Sequence, residues 1–289
     1  MSFFSVYKLI LATIFTGLFL NQNSDAFFLN TPPNPKKKII TISPSGLRGY
    51  YLLGIASYLK DHFVLKDYVF SGSSAGSWIS LIMSYRGDHR RIIQDVLETS
   101  ERNKQSIRDL GKGLKHMFLN SGKYKDRDFD LNACYMGLID VNMEVHPMTT
   151  STFIYNNFTT LEDAINCCIA SSHVPFVMGR DAFRKYKGRH TIDGGFSNNP
   201  YYGLGHIDGN CVECTIDKTP KPAELHIHPF IWYKRPVYVM EFMANQFRLF
   251  MELFTISSMN FTKVYQEGYQ DAKKHHANFA NFRTKPPRL

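Results

Sequence analysis

The sequence predicts an α/β fold with a mostly parallel central sheet, because two strand–loop–helix units follow one another along the chain. In the first unit, residues 39–42 form a buried-strand pattern, residues 44–49 form a loop of Pro, Ser and Gly, and residues 50–60 have helical spacing. In the second unit, the β-prone residues 68–70 precede a tight glycine turn and an apolar helix at 77–85. Crossover helices of this kind connect parallel strands.

The rest of the chain carries single elements rather than repeated units. Residues 110–135 are punctuated by glycines and receive no assignment. The segments with a clear pattern are an amphipathic helix at 89–104, a strand at 152–155, a helix at 161–170, a strand at 189–192 and helical periodicity over 237–272. We expect one domain over residues 39–289, with its motifs in 39–200 and a C-terminal helical part at 237–273.

The N-terminus has the pattern of a secretory signal peptide over residues 1–26. Lys8 supplies the positive charge, residues 9–20 are apolar, and Ser24-Asp25-Ala26 offers a cleavage site. A proline-rich linker is expected at residues 27–38. The predicted location is therefore the secretory pathway, either secreted or in the endoplasmic reticulum lumen, and a retained membrane anchor is the alternative.

Composition narrows the class of partner. The 289-residue chain is 44% hydrophobic and 20% charged, as a folded globular protein is, and its net charge of +9 favours anionic partners. Signatures of nucleic-acid-binding modules are absent, so peripheral contact with a membrane or lipid surface is the better interpretation.

No metal or cofactor is predicted, because Cys211-x-x-Cys214 has no matching second pair and neither a P-loop nor a dinucleotide fingerprint is present. Protein partners stay open.

The turn in the second unit, Gly72-Ser73-Ser74-Ala75-Gly76, fits the pattern G-x-S-x-G. A nucleophile at the apex of a strand-to-helix turn is exposed, and the two glycines allow the sharp backbone and the close packing of strand against helix. The helix that follows also directs free N–H groups toward the serine. Ser74 is therefore the candidate nucleophile.

Two further loops carry candidate site residues. Asp193-Gly194-Gly195 follows a β-prone run and precedes a loop rich in glycine and amide side chains. The loop at residues 43–49 ends a strand and opens a helix, an arrangement that presents backbone N–H groups to an anion.

Taken together in this order, the three loops resemble those of the patatin-like phospholipases, in particular the adipose triglyceride lipase and adiponutrin branch. The resemblance lies in residues 40–59 (ITISPSGLRGYYLLGIASYL), residues 69–78 (VFSGSSAGSW) and residues 173–200, which end in TIDGGFSNNP. It covers roughly residues 39–200. It implies a patatin-like three-layer fold, in which helices flank the sheet, and hydrolysis of carboxylic esters in phospholipids or acylglycerols.

The resemblance also implies roles for these residues. Ser74 would attack the ester carbonyl, and Asp193 would accept its proton without help from a histidine. Backbone N–H groups of the first loop would hold the oxyanion, which makes Ser45, Gly46, Leu47, Arg48 and Gly49 the candidate donors. The family has more glycines in this loop, whereas here Pro44 and Ser45 stand in two of those positions, and proline has no N–H to donate.

Three alternatives remain open from the sequence. The order Ser, Asp, His of α/β-hydrolases is satisfied if His206, His226 or His228 completes a triad with Ser74 and Asp193. An acyltransferase would pass the acyl group to an alcohol instead of water. A lipid-binding regulator would have lost turnover through the changes at positions 44 and 45.

Overall fold

A mixed sheet forms the centre of the protein in the computed structural model. The structure describes residues 22–29, 37–144, 149–196, 225–227, 256, 259–280 and 282–286. Its strands are β1 (Gln22–Leu29), β2 (Lys38–Ile42), β3 (Tyr68–Ser73), β4 (Cys134–Asn142), β5 (Thr149–Tyr155), β6 (Arg184–Tyr186), β7 (Arg189–Ile192) and β8 (Leu225–Ile227). Its α-helices are α1 (Gly49–His62), α2 (Ala75–Ser84), α3 (His89–Arg102), α4 (Ile107–Asn120), α5 (Leu161–Ser171) and α6 (Phe261–Lys274).

The main sheet has the strand order β1-β5-β4-β3-β2-β8. Every neighbouring pair is parallel except β4 and β5. All six residues of β3 are buried, as are the last four of β2. Parallel strands covered on both faces carry such continuous apolar runs, so the helices that flank the sheet enclose its central strands. The predicted α/β fold with a mostly parallel sheet is confirmed.

Strand β1 lies in residues that we expected to form the end of a signal peptide and the start of a linker. β1 pairs in parallel with β5, and its residues 22–29 cross the predicted cleavage position after Ala26. Residues 27–29 are therefore strand rather than linker. The apolar segment at residues 9–20 lies outside the described residues, so the signal peptide stays a prediction. None of the helices in the described part of the chain is long and apolar enough to cross a membrane.

The unassigned segment 110–135 contains most of helix α4, whose two glycines interrupt the helical pattern of apolar residues. Ser106 caps this helix by accepting a hydrogen bond from the N–H of Asp109 at 3.1 Å. Leu110, Leu114 and Phe118 are buried at helical spacing, so packing of this apolar face stabilises a helix that Gly111 and Gly113 weaken.

The C-terminal aromatic periodicity is core where the structure describes it. Helix α6 crosses α1 at a pair of glycines, because a Cβ atom at Gly54 would overlap the carbonyl oxygen of Tyr265 and one at Gly268 would overlap that of Tyr51. Phe261 is fully buried. The rest of the predicted helical region, residues 237–255 and 257–258, lies outside the described residues.

Candidate active site

The sheet register brings the ends of two strands together. β3 runs parallel to β4, and its last residue, Ser73, pairs with Gly137. β7 runs antiparallel to β4 along the same side, and its last residue, Ile192, pairs with Ile139. The two strands therefore point at each other and end two residues apart along β4. The next residues in the chain are Ser74 and Asp193.

Ser74 occupies a strained turn between β3 and α2. Its φ of 54° and ψ of −126° lie in a region that costs a residue with a side chain on the order of 1–3 kcal/mol. The flanking glycines make the turn possible: a Cβ at Gly72 would overlap the carbonyl of Gly76, and one at Gly76 would overlap the carbonyl of Ile42. Strain maintained by such close packing is typical of a nucleophile held at the apex of a turn.

The Ser74 hydroxyl donates a hydrogen bond directly to Asp193 Oδ2 at 2.7 Å. The other carboxylate oxygen of Asp193, Oδ1, accepts the N–H of Gly195 at 2.6 Å, and the Asp193 N–H donates to the His173 carbonyl at 2.9 Å. Ser74 is 5% exposed and Asp193 is 3% exposed. A hydroxyl and a carboxylate 119 residues apart in the chain thus share a proton in a nearly dry site.

Burial raises the pKa of Asp193 from 3.8 to about 7, although the hydrogen bonds from Ser74 and Gly195 favour its charged form. A carboxylate with an ordinary pKa is a weak base for a hydroxyl. A general base is most effective when its pKa lies near the working pH, so the apolar surroundings suit Asp193 to accept a proton at neutral pH.

The histidines of the alternative triad are placed as follows. His206 and His228 lie outside the described residues, and His226 is in β8, where its backbone pairs with Thr41 of β2. His173 is buried, and its Nε2 lies 3.2 Å from the carbonyl oxygen of Asp181. Within the described ranges, no histidine is hydrogen-bonded to the Ser74 hydroxyl, which donates to Asp193.

The predicted oxyanion loop forms a short 3-10 turn over Gly46–Arg48. The N–H of Arg48 donates to the Ser45 carbonyl at 3.0 Å, and the N–H of Gly49 donates to the carbonyls of Gly46 and Leu47. Those two of the five candidate donors are therefore engaged within the turn. The N–H groups of Gly46 and Leu47 bond to no group in the described ranges, and both residues line the same cavity as Ser74.

The predicted oxyanion loop packs against residues that neighbour both catalytic candidates. A Cβ at Gly49 would lie 2.7 Å from the Cβ of Ala75, the residue after Ser74. A Cβ at Gly195 would lie 2.9 Å from the Cβ of Pro44, on the Asp193 side. Pro44 is therefore an apolar neighbour of the loop that carries Asp193 and contributes to the desolvation of that loop.

Two buried hydroxyls that the sequence did not single out support the nucleophile turn. Ser171, at the end of α5, accepts the N–H of Ser74 at 2.8 Å and donates to the Gly137 carbonyl at 2.6 Å. Ser73 donates to the same carbonyl at 2.9 Å. Nothing in the local sequence distinguishes Ser171 from other serines at helix ends, because its role depends on the end of α5 meeting both β4 and the Ser74 turn.

We expect Ser171→Ala to lower kcat/KM by about tenfold or more, with the loss mainly in kcat. The substitution leaves the Ser74 N–H without its buried acceptor, and small displacements of a nucleophile are costly. Ser73→Ala is the matched control, because it removes a bond to the same carbonyl and leaves the Ser74 N–H paired. Equal losses in both variants would show that the hydroxyls merely stabilise the fold. Ser171→Thr, which keeps a hydroxyl, is expected to restore part of the rate.

A cavity of about 300 Å³ opens beside Ser74. Gly46, Leu47, Ser74 and Ala75 line it at one end, so the free N–H groups of the turn and the hydroxyl face a common space. Apolar side chains from helices α1 to α5 form much of the remaining wall, among them Leu53, Ile79, Val96, Leu114, Phe118 and Ile169. Pockets of this size and character bind largely apolar ligands.

The chain is similar to known proteins of one sequence family. The sequence model described as patatin-like phospholipase matches residues 42–204, more than half of the 289-residue chain. The human patatin-like phospholipase domain-containing protein 4 is 27% identical over 249 residues, which cover 81% of this chain and 94% of that protein. The crystal structure of VipD from Legionella pneumophila aligns with a TM-score of 0.37 at 13% identity over 84% of this chain and 67% of VipD. On the family match, this chain belongs to the patatin-like phospholipases.

Proposed function

We propose that the protein hydrolyses carboxylic esters of lipids through a Ser74–Asp193 dyad and an acyl-enzyme intermediate. The observation that carries the proposal is the buried 2.7 Å hydrogen bond between a serine on a strained turn and a carboxylate whose pKa is raised to about 7. The apolar cavity beside Ser74 supplies room for an acyl chain, and membership of the patatin-like family supports action on lipids.

In the first half of the reaction, the Ser74 oxygen bonds to the ester carbonyl carbon while its proton passes to Asp193. The N–H groups of Gly46 and Leu47 stabilise the negative carbonyl oxygen, and the loss of one such donor typically costs on the order of 100-fold in rate. The ester C–O bond then breaks, and the leaving alcohol takes the proton from Asp193. The acyl group remains on Ser74.

In the second half, water replaces the alcohol. The oxygen of the water bonds to the acyl carbon while Asp193 accepts a proton from that water. The Ser74 oxygen then leaves the acyl carbon and recovers the proton from Asp193. The fatty acid departs and the dyad returns to its starting state. Both halves of the reaction require a base, and a carboxylate with a near-neutral pKa can act as that base in each half.

Because long-chain esters reside in bilayers, micelles and droplets, we further propose that the enzyme acts in peripheral contact with a lipid surface. The net charge of +9 supports attraction to anionic surfaces.

The test is a panel of phospholipids and acylglycerols incubated with the chain from residue 27 onward and, separately, with the full chain. We expect free fatty acid from wild type and none above background from Ser74→Ala. Ser84→Ala is the matched control, since Ser84 is also buried but lies at the other end of α2, where its hydroxyl donates to the Leu81 carbonyl at 2.8 Å. Product analysis with an added acceptor alcohol separates hydrolysis from transfer. Fatty acid release by Ser74→Ala at the wild-type rate would overturn the proposal.

A further inference from the structure

The mouth of the Ser74 cavity is cationic. Arg108, Lys112 and Lys115 of α4 belong to the lining, as does Arg184 of β6. The spacing of the three α4 residues, three and four apart, places them along one face of the helix. Asp181 is the single carboxylate among the described lining residues. Arg108, Lys112 and Arg184 are also solvent-exposed, so an excess of positive charge lies where the cavity meets solvent.

The two arginines among these mouth cations have no close acidic partner in the described ranges. Within the part of the chain that the structure describes, neither Arg108 nor Arg184 lies within 4.0 Å of a carboxylate oxygen, and Lys115 donates to the neutral amide of Asn166 at 2.8 Å. The Lys112 ammonium lies 3.7 Å from Asp109. Some basic side chains elsewhere do have a carboxylate within 4.0 Å, among them Arg86–Asp130, Arg90–Asp61, Lys123–Asp95, Lys187–Asp163 and Arg189–Asp140.

Arg108, Lys112 and Lys115 are like charges along one helix face, so they repel each other and weaken the helix slightly, although Asp109 lies 3.7 Å from Lys112. An anion that bridges α4 and β6 would remove that repulsion. Arginine suits this role, because its planar guanidinium donates two parallel hydrogen bonds to a phosphate.

The chemistry of glycerolipids identifies the anion. With the sn-2 acyl ester of a glycerophospholipid at Ser74, the phosphate on the adjacent glycerol carbon lies within a few bonds of the reacting ester. A neutral acylglycerol would place another ester or a hydroxyl at that position, which would desolvate the cations without satisfying them.

We propose that Arg108 and Arg184 bind the phosphate of the substrate headgroup, with Lys112 and Lys115 adding positive charge, so that the enzyme selects glycerophospholipids of net negative headgroup over neutral acylglycerols. The inference rests on the proposed function, since it names the substrate class of that same site.

The experiment compares dioctanoyl phosphatidic acid with dioctanoylglycerol, each at the same low mole fraction in micelles of a neutral detergent. This arrangement keeps the net charge of the protein from acting through a charged surface. We expect kcat/KM to be at least about tenfold higher for the anionic lipid, the size of effect that a charge-assisted hydrogen bond supplies. The double variant Arg108→Gln/Arg184→Gln is expected to reduce that ratio about tenfold. Arg102→Gln, which removes an exposed arginine of α3 outside the cavity lining, should leave the ratio unchanged.

Binding of the same two lipids to Ser74→Ala, measured by calorimetry, separates this inference from the proposed function. Tighter binding of the anionic lipid, lost in the double variant, supports the phosphate site even if wild type turns over neither lipid. Equal affinities, or an equal loss in Arg102→Gln, would overturn it even if both lipids are hydrolysed. Binding of inorganic phosphate as tight as that of the anionic lipid would assign the mouth to free phosphate and overturn the headgroup assignment.

Discussion

Replacing Asp193 by asparagine is expected to lower the rate of ester hydrolysis by about 10³-fold or more while the protein stays folded. The amide has nearly the shape of the carboxylate, and its oxygen can accept one of the hydrogen bonds that Ser74 and Gly195 now donate. It has no capacity to take the proton of Ser74, and a positioned base contributes about 10²–10⁴-fold. Fatty acid release by the purified variant, with circular dichroism to check its fold, measures the effect.

Asp67→Asn is the control for this substitution, because Asp67 is an exposed carboxylate in the turn before β3. The triad alternative differs in what it predicts for the histidines, because Asp193 belongs to both arrangements. If His206→Ala, His226→Ala or His228→Ala lowered turnover as much as Asp193→Asn does, a histidine would be the base and the dyad assignment would be wrong.

The pH dependence of kcat/KM is expected to rise tenfold per pH unit up to about pH 7 and then level off. The reason is that Asp193 works as a base only when it is ionised, and burial raises its pKa to about 7. Initial rates on a lipid without ionisable groups, from pH 5 to pH 9, measure the profile. A rate that stays constant down to pH 5 would show that the base is a carboxylate with an ordinary pKa.

The same raised pKa makes a prediction about stability. Between about pH 4 and pH 7 the folded protein keeps a proton on Asp193 that the unfolded chain has released, so a rise in pH favours the unfolded state. Asp193 therefore lowers the free energy of unfolding by up to about 1.4 kcal/mol per pH unit across that range and by a constant amount above it. Urea unfolding of wild type and Asp193→Asn at several pH values should show a difference that grows from pH 4 to pH 7. A constant difference would contradict it.

The local elements of the fold were predictable because their patterns are strong. The apolar run at 39–42 and the glycine turn at 72–76 predict β2, β3 and the start of α2, and the structure has all three. Helix α4 was not predicted, because Gly111 and Gly113 interrupt its helical pattern and the helix is stabilised by tertiary packing. Strand β4, which begins within the unassigned segment, is an almost continuous apolar run that periodicity alone does not separate from a helix.

Sequence periodicity alone does not predict the contact between Ser74 and Asp193. It depends on β3 and β7 ending two residues apart on β4, and long-range register of this kind has no local signal. The order of the three loops and their resemblance to a family supplied the pairing instead. The choice among donors in the 45–49 loop depends on the dihedral angles of one turn, with Gly46 at a φ of 52°, which the residue types alone leave open.

The most direct test of the central claim is to map where a fluorophosphonate probe reacts with the folded protein. An activated Ser74 oxygen displaces fluoride and forms a phosphonyl ester, and peptide mass analysis locates the adduct. The account predicts one adduct at Ser74, formed quickly by wild type, slowly by Asp193→Asn and not at all by Ser74→Ala. A folded protein that stays unlabelled, or one labelled at another residue, would contradict it.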